Sequence, residues 1–286
     1  MFSRLKNWVW ESVVEWLNTD VDKHHLKDIY DFDALIADLK PADVVLFEGR
    51  SRVSQVIKIV TLSPWTHAAL YIDSLNSLED DALREYVEGF YQGDPDEPLI
   101  IESLLGHGTI VNPISMYRNE HIRICRPLSL QDDDRKRLIR SALGHLGLDY
   151  DVRQLLDLAR LMFPYGILPR KWRSSLFRHN VGKPTQIVCS SMIARCFQKV
   201  NYPIVPIIQK DRFNNLRFYK RNFRLFVPSD FDYSPFFEVI KYPSYQVVRQ
   251  IISDEFLWYE DSVQNIENEV VAIDSFSSQG LVEVRR

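Results

Sequence analysis

Apolar positions along this chain recur with two periods, and each period implies a type of element. Phe2, Leu5, Val9, Val13 and Trp16 lie near one helical face, with Trp8 and Leu17 at its edge, which predicts a docked N-terminal helix. Leu26 to Leu39 reads as further helical turns, stopped at Lys40-Pro41 because the residue before proline is pushed out of the α region. A core domain is expected to begin there. Asp43-Val-Val-Leu-Phe predicts a strand, Glu48-Gly-Arg-Ser a turn, and Val53, Val56, Ile57 and Val60 the apolar face of a helix reaching Leu62. Ala68 to Ile72, continuing from His67, predicts a second strand, and Leu99 to Leu104 a third after an acidic loop around Gly93 to Pro98. Ile110 to Ile114 and His121 to Cys125 are expected to complete a meander.

Three acids in succession, Asp132 to Asp134, suit the first turn of a helix whose apolar face is Leu138, Ile139, Leu143 and Leu146. Leu155 to Phe163 predicts another helix, stopped by Pro164, and the irregular basic stretch from there to Pro184 is a candidate flap over a site, together with the residues from 151. Ile187 and Val188 then lead into Cys189-Ser-Ser-Met-Ile-Ala-Arg-Cys-Phe-Gln198, an amphipathic helix. Order signals weaken beyond about residue 245, and there is no internal repeat. The organisation expected is a helical extension over 1–40, a catalytic domain over 41–245 and a C-terminal extension over 246–286.

A chain of 286 residues with 45% hydrophobic content can bury a large core. Its net charge of -4 provides no overall attraction to nucleic acid or to an anionic membrane. Three cysteines without a Cys-x-x-Cys pair do not form a disulfide framework, so a reducing compartment is expected. The N-terminal segment carries Glu11 and Glu15 within its apolar stretch and lacks a cleavage site, so it fails as a secretory signal. No apolar run reaches the length needed to cross a bilayer. The expectation is a cytoplasmic protein, with peripheral membrane contact through the tryptophan-bearing N-terminal helix left open.

The chemistry concentrates on few residues. Cys189 is expected at the junction of a strand and the first turn of a helix, where unpaired N–H groups and the helix dipole favour a thiolate. His67 stands at the head of a buried strand, and a thiol with an imidazole is what a cysteine hydrolase needs. Glu102 is flanked by Ile100, Ile101, Leu104 and Leu105, where a carboxylate is costly unless paired. Pairing with His67 or with an arginine would both account for it, and His107 in Gly106-His-Gly108 competes for that third position. Ser190 and Ser191 lack a Gly-x-Ser-x-Gly elbow. Cys196 and Cys125 read as packing residues. His24-His25 has no third ligand at recognisable spacing, so zinc is not expected, and since thiol chemistry needs no cofactor and no nucleotide-binding loop is seen, none is expected.

The segment Arg212 to Phe226 interleaves Arg217, Lys220, Arg221 and Arg224 with Phe213, Phe218, Tyr219 and Phe223. Nucleic-acid stacking and an anionic lipid surface both suit that composition, but a buried β-region with snorkelling arginines is the expectation, and no nucleic-acid partner is anticipated.

Asp43-Val-Val-Leu-Phe, Ser63-Pro-Trp-Thr-His67-Ala-Ala-Leu-Tyr, Ile101-Glu102 and Val188-Cys189-Ser-Ser, in that order, resemble the circularly permuted, NlpC-like branch of the papain fold, of the YiiX type, in which histidine precedes cysteine. The related lecithin retinol acyltransferase-like branch shares the thiol chemistry. The resemblance covers roughly residues 40 to 240. It implies an α+β fold in which a small antiparallel sheet or barrel carries the histidine and packs on the cysteine-bearing helix. It also implies Cys189 as nucleophile, His67 as general base and acid, and Glu102 as the orienting group. The expected function is a cysteine-dependent hydrolase or acyltransferase of the peptidase or amidase kind, cleaving an amide, ester or thioester of a peptide or acyl-lipid substrate through an acyl-enzyme. The alternative is a non-catalytic papain-like module that binds a lipid or a protein.

Overall fold

The computed structural model describes residues 31–150 and 189–240, together with 15, 18–20, 186–187, 262–264 and 270–272. Most of the expected N-terminal helix, the helix at Leu155 to Phe163, the flap and most of the C-terminal extension lie outside the described residues, as does His24-His25. Two compact units are present, Met1–Lys241 and Tyr242–Arg286.

In the first unit α1 (Phe32–Ala37) opens under an N-cap, the Asp31 side chain accepting the Ala34 N–H. There follow β1 (Val44–Glu48), α2 (Arg52–Thr61), β2 (His67–Asp73), α3 (Asp81–Glu88), β3 (Leu99–Leu104), β4 (Gly108–Pro113), β5 (His121–Pro127) and α4 (Asp132–Leu143). After these come β6 (Asp149–Tyr150), β7 (Gln186–Ile187), α5 (Cys189–Lys199), β8 (Ile207–Lys210), β9 (Leu216–Tyr219), α6 (Ser229–Asp232) and β10 (Phe237–Ile240). The described residues of the second unit form a hairpin of β11 (Ser262–Gln264) and β12 (Val270–Ala272).

Six antiparallel strands form the main sheet in the order β10-β5-β1-β2-β3-β4, so the architecture is α+β. Successive strand residues face opposite sides, and both sides are buried here. One face carries Val44, Leu46, Ala68, Leu70, Ile101 and Cys125 into a core shared with Leu138 and Ala142 of α4 and Met192, Ile193 and Phe197 of α5. The other buries Val45, Phe47, Ala69, Ile100, Ile122 and Ile124. Burial on both faces explains why β1 reads as a continuous apolar run and not as an alternation.

Two expectations are corrected. The strands do not form a simple meander, because β5 crosses to the far side of β1, with Val45 opposite Ile124, and leaves β4 at the edge. Without β5 the buried strand β1 would have one unpaired edge, and a buried backbone needs partners on both sides. The basic-aromatic segment is not a buried β-region either. Strands β8 and β9 pair only with each other, and every residue of both is exposed.

The ends of β1 are fixed separately. At its head the buried Asp43 accepts Arg126 Nε at 3.0 Å and Nη2 at 2.8 Å, and the Lys40 N–H at 2.9 Å. At its tail the Gly49 N–H donates to Thr66 Oγ1 at 2.9 Å. A Cβ on Gly49 would sit 2.4 Å from Ser54 Oγ and 2.9 Å from Thr66 Oγ1, so any side chain here would displace the Thr66 hydroxyl that this turn uses. The consequence falls on the residue after Thr66, which is His67.

Candidate active site

His67 is placed by the loop before it. Leu62 ends α2 in the left-handed conformation, Ser63 Oγ accepts the Trp65 N–H at 3.2 Å, and the Thr66 N–H reaches Phe47 O at 3.0 Å. The buried Trp65 donates its indole N–H to Asp232 Oδ2 at 3.1 Å, and the Arg123 guanidinium, itself paired with Asp232, lies 4.7 Å over its ring. A loop anchored in this way sets the register Phe47 opposite His67, and Phe47 and Tyr117 both stack beside the imidazole.

Glu102 occupies the next strand but one from β1 and has no exposed side-chain surface. Its Oε2 accepts His67 Nε2 at 2.5 Å and the Tyr117 hydroxyl at 2.7 Å, while its Oε1 accepts Asn112 Nδ2 at 2.8 Å. Burial alone would push this carboxyl up, but the three donors outweigh it and hold the pKa below the ordinary carboxylate value. Burial and the adjacent carboxylate push Tyr117 far up, so the phenol remains a donor.

The strand-to-helix transition expected at Cys189 is present, with β7 pairing parallel to β6 immediately before α5. The thiol is 4% exposed. Burial raises its pKa, but the hydrogen bond and charge of His67, with the Ala68 and Ser190 backbone N–H groups, bring it below the ordinary value. Ala68 is available for this because the β2–β3 pairing starts only at Leu70. Burial also opposes charge on the His67 ring, yet Cys189 and Glu102 together raise it to about 10. With Nε2 taken by Glu102, Nδ1 is the ring nitrogen left for the thiol. The two shifts run in the directions that favour a thiolate facing an imidazolium. Cys196 is pushed up to about 11 by burial, and Cys125 is raised further by the same cause, so Cys189 alone among the three cysteines is lowered.

Cys189, His67 and Glu102 thus meet as the sequence suggested. His107 lies exposed in the turn after β3, and Glu102 holds the position for which it competed. The Ser190 hydroxyl donates to Phe226 O at 2.8 Å, a structural task. Sequence reasoning missed Asn112 and Tyr117. Asn112 had a signal, a lone amide in the apolar run Ile110 to Ile114 and diagonal to Glu102 across the β3–β4 pair. Tyr117 had none, since a short 3-10 turn over Ile114–Tyr117 brings it in. Among the described residues, no group of three or more His, Cys, Asp or Glu is placed to hold a metal ion.

Tyr117→Phe removes one of three hydrogen bonds to a buried carboxylate, at a cost of about 1.5–3 kcal/mol. Because the folded Glu102 pKa is depressed, its contribution is present at neutral pH and lost as pH falls through the folded value. Urea titrations of wild type and variant are expected to differ by that amount at neutral pH and to converge in acid.

No family model matches this chain, and no curated protein matches it. Among solved structures it is similar to the crystal structure of the metalloprotein YiiX from Escherichia coli O157:H7, at 14% sequence identity and a TM-score of 0.44, over 71% of this chain and 97% of that one.

Proposed function

We propose that this protein is a cysteine-dependent hydrolase or acyltransferase with a permuted papain-like site, acting on an amide, ester or thioester. One observation carries the reading: a buried thiol of lowered pKa at a helix N-terminus shares a hydrogen bond with an imidazole whose other nitrogen is held by a fully buried carboxylate.

The Cys189 thiolate attacks the carbonyl carbon, a C–S bond forms and the carbonyl π pair moves to oxygen. The Cys189 backbone N–H at the head of α5 stabilises that oxyanion. The oxyanion collapses as the bond to the leaving group breaks, and His67 Nδ1–H passes its proton to the departing nitrogen, oxygen or sulfur. Neutral His67 then removes a proton from water, or from an acceptor nucleophile, which attacks the acyl-enzyme. Departure of the thiolate returns the site to its starting state. Glu102 keeps the ring in the orientation and tautomer this cycle needs and stabilises its charged form. A peptide or acyl-lipid substrate fits this chemistry.

Turnover of a panel of activated esters, thioesters and peptide amides is expected to fall by about 10⁴-fold or more in Cys189→Ala. Turnover that survives this substitution at the wild-type rate excludes the reading. A protein that turns over none of the panel but holds a lipid or protein partner equally well with and without the thiol would instead be a binding module.

A further inference from the structure

The hairpin of β8 and β9 stands apart from the main sheet. Its four cross-strand pairs run from Ile207 opposite Tyr219 to Lys210 opposite Leu216, and the alternation of side chains along a strand divides them between two faces. One face carries Ile208, Leu216 and Phe218, exposed by 55%, 58% and 61%, and beyond them at the tip stands Phe213 at 79%. Exposed apolar side chains gathered on one small element mark a contact surface. A two-stranded ribbon with water on both faces is also marginal on its own and presents unpaired edges.

The tip is nevertheless held firmly. Asp211 Oδ1 accepts the Phe213 and Asn215 N–H groups at 2.9 Å each, the Asn214 N–H returns to Asp211 O at 2.9 Å, and Asn214 takes the left-handed conformation that asparagine tolerates. The base is anchored as well. Lys220 Nζ reaches Gln198 O at 2.8 Å, Gln198 Nε2 reaches Arg221 O at 2.6 Å, and Arg221 pairs with Asp230 at 3.0 Å. Phe218 and Tyr219 border a cleft of about 150 Å³ with Tyr202, Val205 and Pro206, so the apolar surface continues onto the body of the protein.

Charge identifies the partner. Residues 207 to 221 hold five cations, Lys210, Arg212, Arg217, Lys220 and Arg221, against the single acid Asp211, in a chain whose net charge is -4. Lys210 and Arg212 flank the tip, and neither has an ion-pair partner among the described residues. Aromatic rings with lysine and arginine beside them match the interface of an anionic bilayer, where rings settle at headgroup level and each cation contributes separately.

We propose that the β8–β9 hairpin is a membrane-docking element, which inserts Phe213, Leu216 and Phe218 into the headgroup region of an anionic lipid surface while Lys210 and Arg212 contact lipid phosphates. The hairpin meets the C-terminal end of α5, whose eleven residues separate it from Cys189 by about 15 Å along the helix axis. Docking therefore does not depend on the thiol chemistry, and failure of one leaves the other standing.

The experiment is co-sedimentation of the full chain with phosphatidylcholine vesicles, with and without phosphatidylglycerol, at low and raised salt. Binding is expected only to the anionic vesicles and weakens with salt. Lys210→Gln/Arg212→Gln is expected to lower partitioning by about 25-fold, about fivefold for each cation. Phe213→Ser also weakens it, Cys189→Ala leaves it unchanged, and exposed substitutions of this kind leave the melting temperature near that of wild type. Equal binding to neutral vesicles, or no vesicle binding, overturns the proposal. So does salt-sensitive capture of an RNA oligonucleotide without vesicle binding, or a dimer in sedimentation velocity that Phe213→Ser dissolves.

Discussion

Iodoacetamide is expected to modify Cys189 at pH 6 while leaving Cys196 and Cys125 untouched, and His67→Ala is expected to slow that modification by on the order of 10- to 100-fold. A free thiol of pKa about 8.5 is roughly 0.3% ionised at that pH. A thiol already ionised in its resting state gains most of that deficit, less the lower intrinsic nucleophilicity of a stabilised thiolate. Burial is the largest influence on Cys189 and acts against the charge; His67 and two backbone N–H groups overcome it. Removing the imidazole leaves burial dominant, and the thiol then resembles Cys196, which burial holds at about 11. Peptide mass spectrometry across pH reads the result. A Cys189 profile that is ordinary in wild type and unmoved in His67→Ala shows that no thiolate–imidazolium pair exists.

The same pair makes a signed prediction for stability. The folded pKa of His67, about 10, lies above its ordinary value, so its contribution is complete below about 6.5 and is lost as pH rises through 10. The folded pKa of Cys189 is depressed, so its contribution is present above about 8.5 and lost as pH falls through the folded value. The two contributions oppose each other below about 8.5, and above it only the loss from His67 remains. Melting temperature should fall between pH 9 and pH 11 in wild type and change less over that interval in His67→Ala.

The second large effect is at Glu102. Glu102→Ala strips the acceptor from His67 Nε2, the Tyr117 hydroxyl and Asn112 Nδ2 inside a site with no exposed carboxylate surface. Breaking a buried charged pair in this way costs about 3–5 kcal/mol, a large share of the margin of a typical domain. Glu102→Gln keeps the volume and one acceptor but removes the charge that favours imidazolium. This variant is expected to fold with a smaller loss and to move the Cys189 alkylation limb to higher pH. If Glu102→Gln alkylates with the wild-type profile, the carboxylate holds up the strands and takes no part in setting the site.

Much of this site was legible before the fold because its cues are local. A cysteine at the end of an apolar run and the start of an amphipathic one signals a helix N-terminus, whatever packs around it. His67 after a Ser-Pro turn signals a strand head, and a carboxylate amid isoleucines demands a partner. The helices starting at Arg52 and Asp132 follow from capping and from acids in a first turn, which act within a few residues of backbone.

Other features depended on which distant segment came to lie alongside. Tyr117 reaches Glu102 from 15 positions away, Asp232 holds Trp65 from 167 positions away, and β5 takes the free edge of β1 although β4 precedes it in sequence. A hydrophobic pattern states that a face must be covered, not what covers it, so the same alternation in β8 and β9 reads as buried although it is exposed. Most of the elements and the three candidate residues could be read locally along the chain, since propensity, capping and the demand of a buried charge act within a few residues, although the helix Asp81–Glu88 was missed. The strand order, the donors that stabilise Glu102, the backbone N–H groups that meet the thiol and the exposure of the hairpin came from the fold, because each depends on a contact between residues far apart in the chain.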